Sequence, residues 1–231
     1  MAAIVTNKFR HNNALQFFES FGEASPSVYY LFVGRPQPFS SGAGGGTDSA
    51  PPTPLDNVED ELMYFRDMLA AKKVTSSDVS YVVPRHNWTT GTVYDYYRAD
   101  YGATVNSATV TTVAGGTDMF STTTKFFVRS SASNVYKCMS NNGGAASTTE
   151  PTGTSTSELT TADGYVWKYM YSLTATEVSS FLTTDFMAVH TDATIAAAAV
   201  DGAVRHYKIA NGGAGYTNGT YSTQTLRGDG S

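Results

Sequence analysis

Asp163-Gly164-Tyr165-Val166-Trp167-Lys168-Tyr169-Met170-Tyr171-Ser172 is the stretch on which the reading of the fold turns. Four aromatics stand at alternate positions, and in a β-strand alternate side chains share one face. A glycine able to take positive φ precedes them, so the segment reads as a turn launching a strand. Val166, Lys168, Met170 and Ser172 then form a mixed opposite face. An aromatic stripe of this width has to be covered. Two readings stand side by side: an ordinary core face, or a surface on which sugars or partners stack.

Working outward, the composition agrees with strands. Charged residues make up only 15% of the 231 residues and aromatics 13%, and Tyr, Phe, Thr and Val suit a pleated, half-buried surface. Residues 28–33 form a continuous apolar run closed by Gly34-Arg35-Pro36, which predicts a strand covered on both faces. Shorter strands are expected at 4–9, 79–83, 109–113, 125–128, 134–139, 186–189 and 204–209, with 92–97 as strand or loop. Three helices are expected. One is a short helix around Ala14 to Phe21, capped by Asn12 or Asn13 and stopped by Gly22. The second spans 56–73, with Asp56 and Glu59 at capping-box spacing and Val58, Leu62, Phe65 and Leu69 on one stripe. The third opens at Thr174-Ala175-Thr176-Glu177 and runs through Leu182. The fold class is therefore mainly β, with a few short helices.

Two stretches, 37–54 and 140–162, are rich in Gly, Ser, Thr or Pro and read as exposed excursions that a partner orders. Residues 1–190 form the main region with these loops inserted. Residues 191–231 form a Gly-rich β segment that reads as the start of a further module, with the natural chain expected to continue.

Little points to chemistry. The formal charge is −5 and the 15 Lys and Arg are scattered apart from Lys72-Lys73, which argues against nucleic acid as a partner. The longest apolar runs are too short to span a bilayer, and no membrane association is expected. His11, His86, His190 and His206 lack metal-ligand spacing, Cys138 stands alone, and no nucleophile elbow or phosphate loop occurs. No cofactor or metal is expected. Asp95 with Asp100 is a carboxylate pair of the kind that flanks a glycosidic bond, yet such pairs arise by chance in acidic proteins. Val83-Pro84-Arg85 followed by Trp88 reads first as a structural corner, since Pro ends a strand while Arg and Trp can lock the bend.

Five motifs in order carry a more specific signal: Ile4-Val5-Thr6-Asn7-Lys8-Phe9-Arg10, Phe32-Val33-Gly34-Arg35, Val83-Pro84-Arg85-His86-Asn87-Trp88, Asn134-Val135-Tyr136-Lys137-Cys138, and Asp163-Gly164-Tyr165-Val166-Trp167-Lys168-Tyr169. Together they resemble the baseplate wedge subunit family, protein eight, of contractile-tailed, T-even-like bacteriophages. The resemblance implies a layered β-sandwich with a few short helices in side loops, and a non-enzymatic structural protein of the virion tail baseplate, assembled in the host cytoplasm. It implies a homodimer within each wedge, with contacts to other wedge and peripheral baseplate proteins. No catalytic motif carries over. Arg10, Arg35, Arg85, Trp88, Asp163, Tyr165 and Trp167 are the matching signature positions, expected to act as framework or interface residues. A carbohydrate-binding tail or adhesion module is the alternative.

Overall fold

The computed structural model describes residues 6–34, 46–51, 68–105, 107–200 and 215, and the chain divides into two units, residues 1–80 and 81–231. In the first unit, helix α1 (Asn7–Glu19) begins at Thr6, whose hydroxyl accepts the Phe9 N–H at 3.2 Å. The expected opening strand is therefore helical from Asn7 onward, and Asn12 and Asn13 lie inside the helix. Thr6 supplies a capping oxygen earlier in the chain, so neither Asn is needed for that task. At the other end the Ser20 hydroxyl donates to the Phe17 carbonyl at 2.7 Å. Phe17, Phe21 and Tyr29 meet in a small aromatic cluster with centroids 5.0–5.2 Å apart.

Strand β1 (Tyr29–Gly34) pairs antiparallel with β2 (Met68–Val74), Tyr29 opposite Val74 and Val33 opposite Ala70. This corrects two expectations. The sequence predicts residues 68–73 as the end of a helix, whereas they form a strand, and Leu69 is 62% exposed. Met, Leu, Ala and Lys are good helix formers, but the cross-strand ladder with β1 overrides that weak local preference. Asp56, Val58, Glu59, Leu62 and Phe65 lie outside the described residues. Nor is β1 covered on both faces: Tyr30, Leu31 and Val33 are each more than 60% exposed.

The second unit holds β3 (Val82–Pro84), β4 (Thr104–Val105), β5 (Ala108–Thr109), β6 (Phe127–Arg129), β7 (Asn134–Ser140), β8 (Glu158–Thr160), β9 (Val166–Ser172), α2 (Ala175–Phe181), β10 (Phe186–Ala188) and α3 (Ala193–Ala197). Its largest sheet is antiparallel, in the order β6-β7-β9-β8, beside the two-stranded pairs β10-β3 and β4-β5. The fold is mainly β, with short helices between strands. Expected strands at 79–83 and 109–113 are reduced to Val82–Pro84 and Ala108–Thr109, and 92–97 is a loop that forms a bridge from Thr92 to Ser147 and bonds β7 through the Tyr97 N–H, which donates to the Cys138 carbonyl at 2.8 Å. Helix α2 carries the expected capping box: the Glu177 N–H donates to Thr174 Oγ1 at 3.2 Å and the Thr174 N–H to Glu177 Oε2 at 2.8 Å. The strand expected at 204–209 and the Gly212 to Gly219 unit lie outside the described residues.

β9 alternates as its sequence requires. Trp167, Tyr169 and Tyr171 are buried, as is Tyr165 just before them, while Val166, Lys168, Met170 and Ser172 are half-buried. Trp167 stacks on Tyr165 at 5.5 Å and receives Tyr94 edge-on at 5.7 Å. A buried indole N–H is expected to find an acceptor, yet the Trp167 Nε1 is covered and has no hydrogen-bond partner; the Tyr165 and Tyr94 rings pack against the indole. The register shifts between Val135 and Tyr136, where one step along β7 answers two along β9. Beyond this bulge Tyr171 joins a separate cluster with Val135, Leu173, Met187 and Ala188, and a bulge re-aims side chains in this way.

Candidate interaction surfaces

The turn before β9 ties three segments together through one carboxylate. Asp163 Oδ2 accepts the Ser147 hydroxyl at 2.9 Å and the Thr148 and Thr149 N–H groups at 2.7 and 3.0 Å. Its Oδ1 accepts the Thr161 hydroxyl and the Tyr165 N–H. Burial alone would raise the Asp163 pKa, but the hydrogen bonds from Thr161, Thr149, Thr148 and Ser147 outweigh it and hold the carboxyl well below the usual range. Ser147, itself fully buried, also accepts the Trp88 indole N–H at 3.1 Å and bonds Thr92 and Gly91 through its backbone. Tyr165 donates to the Ala145 carbonyl and accepts from the Tyr94 N–H, while Asn141 donates to the Tyr94 carbonyl at 3.0 Å. The stretch 140–162, expected to be an exposed excursion, is exposed along most of its length, with Asn141, Ser147, Pro151 and Thr161 buried within it as anchor points.

Of the signature residues, Trp88, Asp163, Tyr165 and Trp167 are thus brought together around one knot. Arg85 lies elsewhere, donating to the Thr183 carbonyl at 2.7 Å and to Asn87 Oδ1 at 3.0 Å. Arg10 is exposed on α1, and Arg35 falls outside the described residues. Sequence reasoning missed Ser147, Asn141 and Tyr94. Only the nearness of Asp163 to a Gly turn hinted that a loop would be gathered there.

The knot is closed to chemistry. With five donors on its two oxygens, the Asp163 carboxylate has no free lone pair aimed at a substrate. Asp95 accepts the backbone N–H groups of Val113 and Lys125 at 2.6 and 2.9 Å, while Asp100 is gripped by Arg98 on both oxygens. Each carboxylate of the pair weighed for glycoside hydrolysis is therefore engaged in holding loops. Burial pushes the Cys138 thiol up to about 12, so it stays protonated and unreactive. The aromatic stripe is buried, which removes it as a sugar-stacking platform. Among the described residues no cluster of three or more His, Cys, Asp or Glu could hold a metal ion, and no helix is long and apolar enough to cross a membrane.

What is exposed is apolar surface. In the first unit Tyr30, Phe32, Leu31, Val33 and Leu69 stand on the two-stranded ribbon, and Phe9, Leu15 and Phe17 on α1, all at 40% exposure or more. Scattered single apolar residues need no explanation, but a run of adjacent ones marks an interaction surface. In the second unit an open cavity of about 270 Å³ is lined by apolar residues from β3, β6, β7, β9 and the turn at Met119 to Ser121.

Comparison with known proteins agrees with this picture. The curated protein "Baseplate wedge protein gp8" of Enterobacteria phage T4 is 29% identical over 186 residues, covering 74% of this chain and 55% of that relative. The chain thus spans about half the length of the curated relative that it matches. The family model described as bacteriophage T4 Gp8 matches residues 3–207, nearly the whole chain, and the chain belongs to that Phage-Gp8 family.

Proposed function

We propose that this chain is a structural component of a phage contractile-tail baseplate wedge and works through protein–protein interfaces rather than by catalysis. The observation that carries the reading is the family match over residues 3–207, together with the printed name of the T4 relative. The geometry supports it from two sides. The buried polar groups around Asp163 and Asp95 hold loops in place, and the large side chains left uncovered are those that association would bury. On this reading the chain pairs with a second copy within each wedge, contacts neighbouring wedge and peripheral proteins, resides in the virion tail baseplate and is assembled in the host cytoplasm. Trp88, Asp163, Tyr165 and Trp167 act as framework, Arg85 clamps the corner after β3, and Arg10 and Arg35 serve as framework or interface positions.

Localisation in purified virions tests the reading. Density for this chain in a ring at the tail base, with paired copies in each wedge, is the expected result. Its absence from the baseplate, or hydrolysis of a host polysaccharide by the purified chain, would overturn the structural role.

A further inference from the structure

The corner after β3 gathers two arginines that the chain does not neutralise. Asn87 forms a parallel bridge with Arg129 of β6: the Arg129 N–H donates to the His86 carbonyl at 2.7 Å, and the Trp88 N–H donates to the Arg129 carbonyl at 2.9 Å. Bridge partners project to the same side of a sheet, so Asn87 and Arg129 share a face. Trp88, the next residue, packs against the cluster that holds Val128, on the other face, as alternation requires. Arg85 reaches the first face too, because its Nε donates to Asn87 Oδ1 at 3.0 Å while its Nη1 donates to the Thr183 carbonyl at 2.7 Å. Two guanidinium groups thus stand on one side of one bridge.

Neither has an acidic partner. The ion pairs among the described residues are Lys72 with Asp78, Arg98 with Asp100 and His190 with Glu177. Acids are not scarce, since Asp and Glu outnumber Lys and Arg by 20 to 15. Asp185 even offers its backbone carbonyl to the Arg85 N–H at 2.8 Å, while its exposed carboxylate pairs with neither fork. Each guanidinium has several N–H groups to place. Those of Arg85 on Nη2 and of Arg129 on Nη1 meet no acceptor among the described residues, Arg129 being held instead by Nη2 on Ser133 Oγ at 2.8 Å. Arg129 Nε is covered and without a partner, so the inner edge of that fork has left water. Burial, and then the Arg85 charge, lower the Arg129 pKa from its ordinary value. An anion accepting from both outer edges would relieve the repulsion and the missing hydrogen bonds together.

We infer that Arg85 and Arg129 form an oxyanion site, gripping one carboxylate or phosphate between Arg85 Nη2 and Arg129 Nη1, with Asn87, Thr183 and Ser133 holding the two forks in place. The planar fork of arginine presents donors at fixed spacing to paired oxygens, which a lysine ammonium does not. A glutamate or aspartate on a neighbouring polypeptide and free inorganic phosphate both offer that pair of oxygens. The site concerns what the purified chain binds and is independent of the baseplate role proposed above.

The test uses the full chain with isotope-labelled arginine side chains, so that the Arg85 and Arg129 Nε–H signals report directly in NMR. The probes are inorganic phosphate and two capped tripeptides, glycyl-glutamyl-glycine and glycyl-glutaminyl-glycine, at an ionic strength held constant with sodium chloride. Phosphate and the glutamyl peptide are expected to shift both signals and to compete with each other, while the glutaminyl peptide leaves them in place. Arg85→Lys and Arg129→Lys keep the charge but lose the fork, and each should weaken binding about tenfold. Because the two lie on different segments, misfolding of one variant leaves the other to decide. Tighter binding of the glutamyl peptide assigns the site to an acidic side chain, and tighter binding of phosphate assigns it to the free anion; both sustain an oxyanion site. Equal shifts from the glutaminyl peptide or from chloride alone, no shift with any probe, or affinities unchanged by both lysine variants overturn it. A response that emerges only in Asp185→Asn also overturns it, since the chain's own carboxylate would then fill the corner.

Discussion

The two units of this chain solve the problem of apolar surface in opposite ways. In the second, aromatic rings turn inward: Trp167, Tyr165, Tyr94 and Tyr136 are all essentially inaccessible and pack edge-on or stacked. In the first, Phe21 is the one buried hydrophobic residue among those described, while the ribbon and α1 present theirs to solvent. A two-stranded ribbon is marginal by itself, and three or more strands or a packed helix are needed for independent stability. Among the described residues, one unit covers its aromatic rings and the other leaves them open to solvent.

Substitutions should fall unequally on the two. Trp167→Ala removes the centre of the buried aromatic cluster and is expected to cost about 3–5 kcal/mol, read as a large drop in the unfolding midpoint. A shift near zero would dissolve the contrast at its strongest point. Asp163→Ala leaves five donors without their acceptor and should cost about 3 kcal/mol, measured by urea unfolding at neutral pH. The same carboxylate predicts a pH dependence. Its folded-state pKa lies well below the ordinary value of 3.8, so its contribution is complete above that value, shrinks as the pH falls below it and is lost only through the lower folded-state pKa. The stability gap between wild type and Asp163→Asn should therefore be widest near pH 7 and narrow steadily as the pH falls below 3.8. A gap that does not narrow in acid would assign the effect to shape rather than charge. Thr174→Ala, which removes the α2 cap, should cost about 1 kcal/mol. In the first unit, Tyr30→Ser and Leu31→Ser should change the stability of the isolated chain by less than about 0.5 kcal/mol while lowering incorporation into baseplates. Loss of stability without loss of incorporation would place those residues in a core instead.

How legible these features were depended on which physical signal the residues carried. β9 could be read because period two and bulky side chains coincide, and only one secondary structure puts Tyr165, Trp167, Tyr169 and Tyr171 on a single face. The Thr174 cap was equally plain, since its chemistry is local. Residues 68–73 misled because Met-Leu-Ala-Ala-Lys-Lys favours a helix locally, and only a distant strand decides otherwise. The stretch 140–162 was legible as a mostly exposed loop but not in its anchors. Its Ser, Thr and Asn side chains look alike in sequence, yet a few are buried because buried polar groups are acceptable where each finds a partner, and Asp163 supplies one to several at once. The knot was partly visible through Trp88, Asp163 and Tyr165, whereas Arg85 belongs to a different corner. The open cavity of the second unit was not visible, because its walls come from separate segments that only the sheet brings together.

The pairing of β7 directly with β9 has a consequence for a severed chain. The two strands exchange their ladder along most of their length, although the sequence between them leaves the sheet, passes the Asp163 knot and returns through β8. Residues 152–155, which lie exposed on that return, contribute no strand to the sheet. A protease that nicks the backbone there should produce two pieces that separate on a denaturing gel but elute as one species from a native column. The halves of the second unit should also reassemble when expressed as separate polypeptides, because the continuity of the main chain is not what keeps those strands side by side.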